Sequence, residues 1–406
     1  MGHLVTVAAT PLIARFYGPE AYGLWAGWLA LVGLVAGIAC LSYETAIALP
    51  ASDHESLHVA VVAIGLGAAM SLLCGAGVII LWRFEVAGPW ERLGHHVFWI
   101  PVGSLVLVGV TIATQWLARA HDVAGLAKAK IWASATTTLA QLAMGPLGTA
   151  SGLILGDIIG RSAGLWRRLK DVWKEQARRI GAIRRDDIMA AVRCYRHHSM
   201  WMTPTVLLNI LTLQAPLLLM LNWHGETTGG QYALIQRLLG FPLALLGQSV
   251  AQLFLPLMAK TVRSSKEAGL DLFLKLSGLL ALAAATMVGV VATLEEAWLV
   301  RLLGASWEGV GRFLMPLSIY AATQLIVSPV SHAVVVLGVQ KWFSTWVVLS
   351  LVASTGGMLI GNLQSAEGAA WGLAFAGGGA YGVLWIGILA RLRYEKTAAS
   401  SLPPPG

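Results

Sequence analysis

The stretch RRLKDVWKEQARRIGAIRRDDIMAAVRCYR, Arg167 to Arg196, carries ten cations against the four acids Asp171, Glu175, Asp186 and Asp187, and it separates two apolar halves of a 406-residue chain. Taken alone, such a block fits nucleic acid, anionic lipid or the cytoplasmic side of a membrane protein, and the flanking sequence has to choose. Of the whole chain 57% is hydrophobic and 12% charged, against about 25% charged in soluble domains. The composition is that of a membrane protein, and with it nucleic acid drops out as a partner.

A membrane-crossing helix needs about 20 apolar residues. Five good spans precede the basic stretch, at 22–49, 59–82, 97–117, 131–147 and 149–166, and six follow it, at 199–221, 231–258, 272–294, 313–337, 343–361 and 368–390. An apolar run from His3 to Ala14 opens the chain. At 1.5 Å per residue it reaches about 18 Å of a roughly 30 Å core, so the first helix is expected to be short or truncated. The start has no Lys or Arg of a signal-peptide n-region and reads as mature chain. Pro204, Pro216, Pro242, Pro316 and Pro329 fall inside spans and predict kinks whose freed carbonyls neighbouring helices must satisfy.

With a cytoplasmic N-terminus, twenty-one cations lie on the inner side, five on the outer side (Arg15, Arg83, Arg92, Arg301 and Arg312) and two within spans. That asymmetry obeys the positive-inside rule and predicts that both termini are cytoplasmic. Trp82, Trp116, Trp166, Trp223, Trp298 and Trp342 stand near span ends, as interfacial belts require.

The halves resemble each other. Gly148, Gly152 and Leu153 open the last helix of the first half, and Gly368, Gly372 and Leu373 recur 220 residues on. Tyr22 and Tyr232 begin the second helix of each half, and those helices end at Leu49-Pro50 and Leu255-Pro256. The matches predict two parallel repeats of six helices related by an axis along the membrane normal. The expected fold is an all-α polytopic membrane protein of about 12 helices in two lobes, 1–166 and 199–390, with a basic cytoplasmic linker at 167–198 and a cytoplasmic tail at 391–406.

Specific strings then resemble a family. Pro11 to Gly23 (PLIARFYGPEAYG) looks like the first outer turn, and Tyr43 to Pro50 (YETAIALP) like the inner-end signature of the second helix, of bacterial polysaccharide flippases of the Wzx type. An Arg commonly precedes that Tyr-Glu pair; here the position is Ser42. Gln231-Tyr232 with Arg237, Pro242 and Gln252 resembles the family's eighth helix, and Leu303-Gly304, Trp307, Pro316, Ser328-Pro329 and Gly338 its ninth-to-tenth segment. The resemblance covers nearly the whole chain. It implies a V-shaped bundle, akin to multidrug and toxin extrusion transporters and the lipid II flippase, that alternates between inward-open and outward-open states. The implied cargo is an oligosaccharide on undecaprenyl diphosphate, carried across the bacterial inner membrane for O-antigen or exopolysaccharide synthesis. Implied partners are anionic membrane lipids, a polysaccharide polymerase and a chain-length regulator; no cofactor is implied.

Four ionisable residues lie inside the expected spans: Glu44, Asp157, Arg161 and Arg237. A charge at the bilayer centre costs at least about 2.5 to 3.5 kcal/mol, so each should face a cavity or a partner. Arg237, about 9 Å into its helix, is the first candidate to grip a diphosphate through its bidentate guanidinium; capping a neighbour's carbonyls or snorkelling accounts for it equally well. Asp157 and Arg161 are four apart and share a helix face, so mutual neutralisation is the leading account. In the alternative, Asp157 exchanges a proton or Na⁺ while Arg161 is released to substrate. Glu44 is either an ion-coupling carboxylate or, the leading account, a helix-terminal group bonded to an inner loop. Arg15 fits the outer mouth of a cavity or an interfacial anchor, and Gln252 can bond sugar hydroxyls or join helices.

Cys40, Cys74 and Cys194 are too scattered for a disulfide framework or a zinc site. The pairs His95-His96 and His197-His198 point apart on a helix and lack a third ligand at metal spacing. There is no G-x-x-x-x-G-K-[ST] loop, and no Ser/His/Asp constellation, so the chain is read as a transporter and not an enzyme. Rival readings are an ion-coupled multidrug antiporter, a membrane polysaccharide polymerase or ligase, and a scaffold that moves nothing.

Overall fold

The computed structural model describes the backbone of residues 2–119, 123–180 and 183–400. Among these residues every regular element is a helix. In chain order the α-helices are α1 (Gly2–Phe16), α2 (Pro19–Ala39), α3 (Tyr43–Ala46), α4 (Asp53–Arg83), α5 (Pro89–Leu93), α6 (Ile100–Arg119), α7 (Val123–Ala143), α8 (Ala150–Ile180) and α9 (Arg185–Pro242). They continue as α10 (Gln248–Ser264), α11 (Lys266–Ala292), α12 (Glu296–Leu303), α13 (Leu314–Val327), α14 (Ala333–Val336), α15 (Gln340–Asn362), α16 (Ala366–Gly372) and α17 (Gly378–Ser400). Eight stretches among the described residues are long and apolar enough to cross a membrane, and apolar side chains such as Leu73, Leu282 and Ile360 are exposed along them. Helices that turn such residues outward suit lipid, where every backbone group is satisfied within the helix. The chain is an all-helical polytopic membrane protein.

Contacts divide it into two compact units, Met1–Ala233 and Leu234–Gly406. The division falls inside α9, so the apolar segment 199–221 packs within the first unit. The side chains of 167–182, with six of the cations of the basic stretch, lie outside the described residues.

In the first unit, helices meet through glycine. Gly23, Gly27 and Gly37 of α2 leave room only for Glu226 and Gly230, for Leu221, and for Ile210 of α9. The partner numbers fall as the glycine numbers rise, so the two helices run antiparallel. Gly156, Gly160 and Gly164 of α8 in the same way meet Gln141, Thr137 and Ala133 of α7. Small residues let backbones approach where apolar burial gives little drive for helices to associate in lipid. The Thr136 hydroxyl ties this seam by donating to the Gly160 carbonyl at 2.8 Å.

The second unit repeats the device. Gly357 and Gly361 of α15 face Gly372 and Gly368 of α16, backbone against backbone. Gly148, the sequence counterpart of Gly368, instead takes a left-handed turn at φ 60° ahead of α8. Tyr22, near the start of α2, and Tyr232, late in α9, are both fully buried.

Several expected spans are interrupted, among them 368–390, where a π-turn covers Leu373–Gly377. The span 22–49 ends as a helix at Ala39, because Leu41 (φ 46°) and Ser42 (φ 60°) turn left-handed before the short α3. Between 221 and 231 the chain does not leave helical structure, being broken only at Gly225, φ 81°. Pro242 is followed by a π-turn, Leu243–Gly247, as expected where the ring removes an intrahelical donor. Ser328-Pro329 likewise ends α13 within the expected span 313–337. Pro204 and Pro216 sit in continuous α9.

Candidate functional site

In the first unit α8 carries Asp157 and Arg161 one turn apart, and Arg161 Nε lies 2.5 Å from Asp157 Oδ2. The carboxylate side chain is 3% exposed and the guanidinium 29%. Around the pair, Trp28 and Val32 of α2 and Gly103 and Leu107 of α6 wall a crevice with no room for a water molecule. Gly103 is needed there, since a Cβ would press into the Trp28 ring. Two charges withdrawn from water are tolerated only with a close partner, and the i,i+4 spacing supplies it.

Trp28, which lines the crevice, has an indole N–H without a hydrogen-bond partner among the described residues, and outside the crevice the Gln141 side-chain nitrogen has none either. Gln141 lies on α7 against Gly156, and its backbone carbonyl accepts from the Tyr17 hydroxyl at 2.8 Å.

Glu44 stands in α3, beyond the end of α2, so it is not an intramembrane residue of a long helix as the apolar run 22–49 suggests. It is 7% exposed, and its Oε2 has no hydrogen-bond partner among the described residues. Burial pushes its carboxyl above the usual range, partly opposed by a backbone hydrogen bond. Burial and then the Glu44 charge push the neighbouring Cys40 thiol up to about 12.

Around Glu44 the connector is clasped by the start of α9. The Tyr43 hydroxyl donates to the Val192 carbonyl at 3.0 Å. Thr45 Oγ1 and His198 Nε2 share a hydrogen bond of 2.9 Å, and Thr203 donates to the Ser42 hydroxyl at 3.2 Å. Arg119 closes the far end by donating to the Pro50 carbonyl at 2.7 Å while pairing with Asp53 at 3.1 Å. The residues of this clasp stand in the sequence without any local sign that they meet, since Tyr43 and Val192 lie 149 residues apart and Thr45 and His198 lie 153 apart.

Arg15 is exposed at the end of α1. In the second unit Arg237 is half-buried on α9, between buried Ile235 and Leu239, and Gln252 is exposed on α10. The structure thus joins Asp157 to Arg161 and places Arg237 and Gln252 on consecutive helices. A polar and aromatic group of the second unit was also missed: Gln324 Nε2 donates to the Tyr381 hydroxyl at 3.3 Å, and the Trp346 indole donates to the Ala380 carbonyl at 2.7 Å. Tyr320 and Gln324, one turn apart in the span 313–337, were its readable signal. Among the described residues no cluster of three His, Cys, Asp or Glu could hold a metal ion.

No protein-family model and no curated protein matches the sequence. The fold does match solved structures. A multidrug-resistance MATE family transporter of the MOP superfamily, inward-facing, is similar at TM-score 0.71 and 13% identity, over 98% of this chain and 96% of that one. The lipid II flippase MurJ, inward closed, is similar at TM-score 0.68 and 14% identity, over 100% and 92%. A MATE transporter in complex with MaD3S is similar at TM-score 0.53 and 13% identity, over 98% and 93%. The chain is therefore a multi-pass membrane protein with the fold shared by MATE transporters and the lipid II flippase.

Proposed function

We propose that the protein is a flippase that carries an undecaprenyl-diphosphate-linked oligosaccharide across the bacterial inner membrane by alternating access, for O-antigen or exopolysaccharide synthesis. The observation that carries this reading is the coincidence of a full-length match to a lipid II flippase fold with the polysaccharide-flippase strings at Pro11–Gly23 and Tyr43–Pro50. In this reading both termini are cytoplasmic, the repeats are joined at 167–198, and a polymerase and a chain-length regulator act on the product. Arg237 grips the diphosphate with its guanidinium fork, and Gln252 and Arg15 contact the cargo. Asp157 exchanges a proton or Na⁺ and thereby frees Arg161 for substrate, while Glu44 is a second carboxylate in the coupling.

The test is the sidedness of the lipid-linked glycan. A deletion strain should accumulate it on the cytoplasmic face, and Arg237→Ala should do the same. Equal amounts on both faces in the deletion strain overturn the reading, and intact export by Arg237→Ala overturns the role of that arginine.

A second reading, an ion-coupled multidrug antiporter, is favoured by the MATE likeness. Cationic drugs call for net acidic intramembrane charge, whereas the sequence offers two acids against two arginines. Expression in a drug-sensitive host separates the two, since a flippase leaves resistance unchanged.

A further inference from the structure

At the basic end of the second unit's last helix a cleft of about 370 Å³ is lined by Val339 and Trp342 at the start of α15 and by Gly387, Ala390, Arg391 and Tyr394 of α17. Its volume lies within the roughly 300 to 1,000 Å³ of small-molecule sites, and its walls are sorted by chemistry. Trp342, Val339 and Ala390 make an apolar floor. Gly387 is what permits the floor, because a Cβ there would run into the Trp342 ring. Above the floor the Arg391 guanidinium stands 5.7 Å from the centre of the Tyr394 ring, so a cation and a phenol hydroxyl reach the same rim from one helical turn. Among the described residues no lining side chain is acidic.

We propose that this cleft is a binding site for an anionic phospholipid, with its phosphodiester on Arg391 and Tyr394 and the first carbons of an acyl chain over Trp342, Val339 and Ala390. A cationic rim above an apolar floor matches the two ends of such a molecule, and a belt of Trp, Tyr and Arg is where a membrane protein meets the headgroup layer. Soluble phosphate would use the rim alone and leave the floor idle. The site is independent of what the protein transports.

The full-length protein, delipidated in detergent, is titrated with phosphatidylglycerol or with phosphatidylcholine of the same chains, and retained lipid is counted by native mass spectrometry. Wild type should hold one phosphatidylglycerol at least tenfold more tightly than phosphatidylcholine. Arg391→Gln, an exposed and conservative change, should abolish that preference, and Arg393→Gln, off the cleft lining, should keep it. Gly387→Leu should lose binding of both lipids; if that variant does not fold, Trp342→Ala serves as the second test of the floor. Equal retention of the two lipids by wild type, an unchanged preference in Arg391→Gln, or full displacement by millimolar glycerol 3-phosphate would each overturn the proposal.

Discussion

Arg161 Nε sits 2.5 Å from Asp157 Oδ2 in a crevice that admits no water, yet the two partners are unequally buried, the arginine being about a third exposed and the aspartate almost fully enclosed. The inequality sets which half of the pair is harder to lose. Removing one partner of a buried ion pair costs about 3 kcal/mol because the other charge is stranded. A stranded Arg161 can extend its long chain towards water, and a stranded Asp157 cannot. Arg161→Met should therefore lower thermal stability in detergent more than Asp157→Asn does, and the double variant should recover most of the loss. An equal or reversed order would show that unequal burial does not decide which stranded charge costs more, and no loss in either variant would show that the pair contributes little to stability.

The same pair separates structure from transport. Under the proposed coupling, Asp157→Asn should remove any dependence of glycan export on a proton or Na⁺ gradient. Unchanged gradient dependence would confine Asp157 to neutralising Arg161.

Glu44 makes stability depend on pH. Its folded pKa is raised above the ordinary value of 4.5 by burial, so the folded state holds the proton more tightly than the unfolded one. The stability from this group is fully present below about pH 4.5 and is lost as pH rises through the folded value. Glu44→Gln, which keeps the shape without the charge, should raise the melting temperature at pH 7.5 relative to wild type, with the gap closing towards pH 4.5. A gap that widens on acidification would mean the carboxylate is stabilised by a cation.

The three thiols should differ in reactivity. Cys194 is exposed on α9, whereas Cys40 is buried with its thiol pushed up to about 12. Since the thiolate is what reacts, a maleimide should label Cys194 and spare Cys40. A membrane-impermeant maleimide should reach Cys194 in inverted vesicles and not in intact cells. Labelling from outside would reverse the orientation that the cation asymmetry predicts.

Glycines divide into seam and surface. Gly160 lies against the Thr137 backbone, whereas Gly65 on α4 has open space around it. Gly160→Ala must push two helices apart and should cost about 1 to 3 kcal/mol. Gly65→Ala should be neutral or stabilise by up to about 1 kcal/mol. Similar losses at both sites, read by thermal unfolding, would count against a seam.

Much of the architecture can be read from residue order, because a lipid-exposed helix needs a long apolar run and the basic stretch marks one side. The Asp157–Arg161 pair is equally readable, since one helical turn brings positions four apart together. The break after Ala39 is not. The sequence stays apolar to Leu49, and the turn is made by Leu41 and Ser42 in left-handed conformations without the Gly or Pro that usually announces one. The clasp on Tyr43 and Thr45 is also invisible locally, because its partners Val192 and His198 come from far along the chain. The cleft at Gly387 is hidden for the same reason: a glycine inside a span gives no hint that an indole from another helix lies on it.

The glycine seams have a mechanical consequence. Where Gly156, Gly160 and Gly164 bring α8 against α7, and Gly368 and Gly372 bring α16 against α15, little side-chain padding remains to shear, so each pair behaves as a welded strut. Bending then has to gather at joints where helical geometry already fails: Leu41-Ser42, Gly225, and the π-turns at Leu243–Gly247 and Leu373–Gly377. Under the proposed alternating access, the stiff members would turn about these few pins as in a linkwork.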